Sequence, residues 1–219
     1  MQVEVHHYLK RIKGITILND ISYSFSSGIV YGLQGKNGSG KTMLLRTIAG
    51  LIFPTSGYVS SNNKIIGKDI SFPNSIGLLI EHPSFIGKYT GFKNLQILSE
   101  LKGVINDDDV RQAIKDVGLD PSDKRHYRKY SLGMKQRLGV ACAMMEHPDI
   151  ILLDEPINAL DPTGVECVEH LLAKARQRGS LIIIACHDNN ELRVLADKIL
   201  TLSEGKIISS EAVNHEDAC

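Results

Sequence analysis

No stretch of the chain approaches the roughly 18 apolar residues that a membrane-spanning helix needs; the longest candidates, such as LIIIAC at 181–186, are of strand length. The first residues, MQVEVHHYLKRIKG, lack the apolar core of a secretory signal. Together these features predict a cytoplasmic chain whose contact with a membrane requires a partner. Lysine plus arginine balance aspartate plus glutamate at 25 each, so no net positive field advertises a nucleic-acid partner, and none is expected. The cysteines Cys142, Cys167, Cys186 and Cys219 are scattered without a CxxC pair, which predicts reduced thiols. The histidines form no HExxH-type pair, so no transition-metal site is expected. There is no internal repeat.

The 219 residues suffice for one domain carrying an inserted lobe. VEV (3–5), ITIL (15–18) and ISYSF (21–25) read as short strands. In the last, Ile21, Tyr23 and Phe25 alternate with serines, as in a half-buried antiparallel sheet. IVYGLQ (29–34) is an apolar strand running into a glycine-rich loop, and KTMLLRTIAGL reads as a helix with Leu44, Leu45, Ile48 and Ala49 on one face. SGYVS (56–60) and NKII (63–66) form a hairpin-like region, and SIGLLI (75–80) is a buried strand. Residues 84–148 then turn helical, in KNLQILSELKG, DDDVRQAIKDVGL and MKQRLGVACAMMEH; Met134, Leu138, Ala141, Cys142 and Met145 make a core-packing stripe in the third. DIILLDEP (149–156), a helix over 163–178, LIIIAC, a helix after Asp188 and two terminal strands, KILTLS and KIIS, complete the chain. The predicted class is α/β: a core with an antiparallel β subdomain, formed by 1–83 and 149–219, and an inserted helical lobe over 84–148; the GKNGSGKT loop at 35–42 makes that core resemble a P-loop NTPase.

GKNGSGKT at 35–42 fits GxxxxGK[ST] between a strand and a helix. Backbone N–H groups and a helix N-terminus then converge on one point, and glycines allow the close approach and the φ values needed. The candidate nucleotide contacts are Gly35, Lys36, Asn37, Gly38, Ser39, Gly40, Lys41, Thr42 and Met43, with Lys41 reaching the β/γ-phosphates and the Thr42 hydroxyl taking Mg²⁺. Such a loop needs a carboxylate for the metal, and Asp154 ends the apolar run IILL. Glu155 follows directly. Adjacent strand residues point to opposite faces, so the chain must bend for both to face nucleotide. Asp154 is assigned to the Mg²⁺ shell and Glu155 to accepting a proton from the attacking water.

YSLGMKQRL (130–138) puts a serine and a glycine at the start of the strongest predicted helix. Locally Ser131 reads as an N-cap. GKNGSGKT, YSLGMKQRL, DIILLDEP, NALDP (158–162) and ACHD (185–188) occur in the order found in ATP-binding-cassette ATPases, and the chain resembles that family over essentially its whole length. The resemblance implies ATP and Mg²⁺ as ligands. It also implies a head-to-tail pair of cassettes in which Ser131 and the Gly133 amide of one chain cap the γ-phosphate held by the other. The partner is a second copy or a paralogous ATPase. Ala159-Leu160-Asp161 resembles the family's D-loop, and His187 resembles its γ-phosphate-sensing histidine.

The chain departs from the family pattern at several positions. Leu132 and Met134 replace the first glycine and the glutamine of the usual LSGGQ. Ile12 stands where many cassettes stack an aromatic residue on adenine; Tyr8 is the nearest substitute, with Ile17 as an apolar wall. Glu81, in GLLIEHP, stands where the family usually has a glutamine touching Mg²⁺ or the lytic water, and the resemblance makes Glu81 a candidate for the Mg²⁺ shell and for the chemistry. Glu81 together with SLGMKQRL resembles a subgroup associated with immunity to, or export of, peptide antibiotics such as lantibiotics and bacitracin. The resemblance therefore implies the ATPase subunit of a bacterial exporter, held on the inner face of the membrane by a separate integral-membrane permease. Phe85, Ile86, Tyr89 and Phe92 are the candidate docking residues. A soluble cassette acting on ribosomes or nucleic acid is the alternative, disfavoured by the single cassette and the balanced charge.

Overall fold

A computed structural model describes residues 1–213. Two sheets carry the chain. The first has the order β2-β1-β4-β5, from β1 (Gln2–Ile12), β2 (Ile15–Ser26), β4 (Ser56–Ser61) and β5 (Lys64–Ile65), and is antiparallel throughout. The second has the order β10-β9-β3-β8-β7-β6, from β3 (Val30–Gln34), β6 (Ile76–Leu79), β7 (Ile150–Asp154), β8 (Leu181–Ala185), β9 (Lys198–Ser203) and β10 (Lys206–Ala212). All its pairings are parallel except that of β10 with β9.

The parallel strands read as unbroken apolar runs because both faces are covered. Side chains alternate between two cores. Ile151, Leu153, Ile182 and Ile184 enter one with the helices α2 (Gly91–Lys102), α3 (Asp107–Asp116), α4 (Leu132–Met144) and α5 (Pro162–Gln177). Ile150, Leu152, Leu181 and Ile183 enter the other with α1 (Lys41–Ile48) and the antiparallel sheet. Leu44, Leu45 and Ile48 of α1 are fully buried there, each contributing about 1.5–3 kcal/mol.

Local chemistry sets the helix ends. Thr90 caps α2, and its side chain accepts from Lys93 N; Gly103 closes the helix at φ 63°. Asn106 and Asp109 form a capping box at α3. In α4, Leu138, Ala141 and Met145 are buried as the stripe predicts, with Met134 and Cys142 partly so; Gln136, Val140 and Met144 are buried as well, so more than one face is covered. The short strands expected over the first 25 residues are two long ones. Register shifts near His7, which sits at φ 43°, let the hairpin absorb irregular residues without ending the ladder. Cys142 and Cys167 are partly buried and Cys186 buried, all as free thiols; Cys219 lies outside the described residues. No described helix is long and apolar enough to cross a membrane.

Candidate functional site

The register of the parallel sheet builds the site. Leu33 of β3 pairs with Ala185 of β8, and Ala185 pairs with Asp154 of β7. Three strands thus end in one row, and their outgoing segments lie side by side: the glycine-rich loop, the turn through His187, and the Asp154–Glu155 pair. This is the carboxyl edge where open α/β sheets take ligands.

The loop requires its glycines. Gly35, at φ 155°, has no room for a Cβ against Leu202 O, and a Cβ on Gly40, at φ 109°, would come 2.9 Å from Leu18 Cδ2. Lys41 is 7 % exposed and curls over the loop, its Nζ donating to Gly35 O at 2.6 Å. Ser39 is buried, and its Oγ has no hydrogen-bond partner within the protein. Gly35, Lys36, Asn37, Gly38, Ser39 and His187 line a hollow of about 800 Å³. A cradle that a Cβ would fill, an inward lysine and an orphaned hydroxyl fit a phosphate chain.

Thr42 Oγ1 donates to Asp154 Oδ2 at 2.6 Å. Burial pushes the Asp154 carboxyl above its ordinary value; the Thr42 bond opposes this, and the Glu155 charge adds to it. A hydroxyl beside a partly desolvated carboxylate is a hard-oxygen pair whose chemistry fits Mg²⁺. Immediately after β7 the backbone turns: Glu155 lies at φ 50°, its N–H donating to Ala185 O at 2.8 Å. That turn is how two adjacent acids come to one side. Glu81, Asp154 and Glu155 line a second hollow, of about 360 Å³. The Glu155 carboxylate is 2.9 Å from His187 Nδ1, and this contact, ahead of the wider Coulomb field, holds His187 protonated above its usual value.

Glu81, also at positive φ (61°), accepts from Arg46 Nη2 at 2.5 Å. Arg46 went unnoticed in the sequence; it lies one turn beyond Thr42, on the same side of α1. Ser131 caps α4, its Oγ accepting from Met134 N at 3.2 Å. Leu132 beside it is 60 % exposed, the position the missing glycine would take. Asp161 caps α5 and pairs with Arg137 of α4, which holds its carboxyl below the ordinary range. Ser131, Gly133, Arg137 and Asp161 line a third hollow, of about 620 Å³, sharing no lining residue with the phosphate-loop hollow.

The expectation that Tyr8 packs on adenine is corrected. Its ring is 1 % exposed in the antiparallel core and its hydroxyl donates to Ile52 O at 3.0 Å, so no base can reach it. Ile17 does border the loop, its carbonyl 3.4 Å from the position of a Gly40 Cβ, while Ile12 and Ile15 pair at the hairpin tip with exposed side chains. Of the candidate docking residues, Phe85 packs edge-on against Tyr127 at 5.2 Å and Phe92 lies under Arg111; Ile86 is exposed.

A glycine-rich loop between strand and helix, a hydroxyl–carboxylate pair at its side and a helical lobe joined to the same sheet define a phosphate-loop nucleotide-binding protein. The family profile described as ABC transporter matches residues 18–158, and the chain belongs to that family. An uncharacterized ABC transporter ATP-binding protein, YybJ, of Bacillus subtilis (strain 168) is 46% identical over 96% of this chain and 97% of its own. The bacitracin transport ATP-binding protein BcrA of Enterococcus faecalis is 37% identical over 97% of this chain and 69% of its own. The lantibiotic transport ATP-binding protein SrtF of Streptococcus pyogenes is 34% identical over 88% and 83%. Among solved structures, the dimeric bacterial cassette MJ0796 superposes with a TM-score of 0.87 over 97% of this chain and 99% of its own, at 24% identity, which speaks to the fold.

Proposed function

We propose that the chain is the ATP-binding and ATP-hydrolysing subunit of a bacterial exporter of peptide antibiotics, of the lantibiotic or bacitracin type, serving immunity or export. The whole chain acts as one cassette, with 84–148 as its signature lobe. The supporting observation is the separation of its two half-sites: the residues lining the phosphate-loop hollow and those lining the Ser131–Gly133 hollow do not overlap within one chain. In this reading a triphosphate on Lys41 is completed by another cassette, a second copy or a paralogue; the similarly folded cassette MJ0796 has a dimeric structure. The similarity to BcrA and SrtF supports the antibiotic class.

In this reading the loop amides and Lys41 hold the phosphates, while Thr42 and Asp154 hold Mg²⁺, which neutralises phosphate charge when bound. Glu81 lies beside them with its charge balanced by Arg46. Glu155 accepts the proton of the attacking water, and His187, tied to Glu155, donates toward the γ-phosphate. Ser131 and the Gly133 amide of the partner close the far side, with the Asp161 segment at the junction. Closing and reopening of the pair drive a separate membrane permease, which keeps the protein on the cytoplasmic face. Isolation of the complex from native membranes tests this: a co-purifying integral-membrane subunit supports it, and co-purification with ribosomes in place of membranes overturns it.

A further inference from the structure

Glu155 is a non-glycine residue in the left-handed region, a conformation that persists only where surrounding bonds over-determine it. Its N–H is held by Ala185 O. Its carbonyl accepts from Asn158 N at 3.2 Å and, from the other lobe, from Gln136 Nε2 at 2.8 Å. Gln136 is 5 % exposed and its amide crosses from α4 to the turn after β7. Its neighbours on α4 reach the same loop. Arg137 binds the Asp161 carboxylate at the loop's far end, and Gly133 passes so close that a Cβ there would lie 2.8 Å from Ala159 O. Residues 133, 136 and 137 share one helix face by the i, i+3, i+4 rule. One face of α4 thus grips the 155–161 loop at its start, middle and end.

We infer that this face is a clamp and that Gln136 is a positioning residue for hydrolysis: by holding the Glu155 carbonyl it fixes the turn that aims the Glu155 carboxylate. The helix that begins at Ser131 therefore also sets the aim of the Glu155 carboxylate in its own chain. What Ser131 meets on a partner's nucleotide is transmitted through about one and a half helical turns to the carboxylate serving the other nucleotide. Arg137 and Gly133 keep the loop in register with the helix, and Gln136 makes the one bond to the catalytic residue itself. The inference deepens the proposed function and rests on it for the reaction.

The test uses the full chain with Gln136→Met, which keeps length and removes the donor, and Gln136→Asn, which keeps the amide and loses reach. Loss of one hydrogen bond to this part-buried carbonyl predicts a kcat lower by about tenfold. KM for ATP and dimer formation with a non-hydrolysable ATP analogue should change less than twofold. In a Glu155→Gln background the same change should cost no further rate, because Gln136 acts through Glu155. A readout independent of hydrolysis is the imidazole titration of His187 in nucleotide-free protein, whose surroundings are Glu155, Glu191 and Asp188. Its midpoint should move down toward the ordinary histidine value as Glu155 loses its aim. An unmoved midpoint with kcat within twofold of the parent overturns the clamp. So does full additivity with Glu155→Gln, and so does a parallel collapse of KM, dimerisation and melting temperature in both variants, which marks Gln136 as a structural residue. A parent that does not hydrolyse ATP removes the proposed function, while the His187 titration still decides the clamp.

Discussion

His187 and Glu155, 32 positions apart in the chain, meet at 2.9 Å between ring nitrogen and carboxylate oxygen. Neighbouring strands β8 and β7 end in register, and each chain turns toward the other. The contact places the proposed proton acceptor and the proposed γ-phosphate sensor in one unit.

That pair sets a pH dependence. Glu155 raises the folded-state value of His187 above the ordinary one. The contact's contribution to stability is then fully present below the unfolded value of about 6.5 and is lost as pH rises through the raised one. His187 is largely exposed, so the contribution is small. NMR titration of the imidazole should give a midpoint above 6.5 in the parent and a lower one in Glu155→Gln.

Glu155→Gln should retain ATP binding and lose hydrolysis by about 10²–10⁴-fold, the usual contribution of a catalytic base. Nucleotide binding measured by calorimetry and phosphate release measured alongside it separate the two effects. Turnover within about threefold of the parent would end the assignment.

Arg46 and Glu81 form a partly exposed pair, so breaking it costs about 0–1 kcal/mol of stability. Its weight lies in function. Glu81→Gln should leave most ATPase activity in place and, on the proposed function, alter resistance to peptide antibiotics in cells. A fall of both to the level of Glu155→Gln would make Glu81 part of the chemistry.

Tyr8 and Ile12 should separate packing from base binding. Tyr8→Phe loses the bond to Ile52 O and about 1 kcal/mol of stability, with ATP affinity unchanged. Ile12→Tyr puts a ring on the exposed hairpin tip and should tighten ATP binding by about fivefold or more, within the range of base–aromatic stacking. Melting curves and nucleotide titrations on both variants check this.

The distribution of legible features has a physical cause. The apolar runs of β7 and β8 and the loop at 35–42 announce themselves because local sequence alone dictates them: both sheet faces are covered, and the loop tolerates only glycine at its tight points. The bend at Glu155 was legible as a requirement, since two adjacent acids cannot otherwise share a side. Tyr8 was misread because counting residues along a strand ignores which face the register buries, and the shifts near His7 alter that face. Arg46 and Gln136 were missed because each acts on a partner distant in sequence, 35 and 19 positions away. Spacing gave a faint signal, Arg46 standing one turn after Thr42 and Gln136 one turn after Gly133 on the same face.

The most direct measurement is the rate of phosphate release per molecule across a dilution series, for the parent and for Ser131→Ala. If each triphosphate is enclosed by Lys41 of one chain and Ser131 of its neighbour, the specific rate rises with protein concentration and Ser131→Ala lowers it throughout. A specific rate that stays flat down to fully monomeric protein, unchanged by the loss of Ser131, would contradict the account.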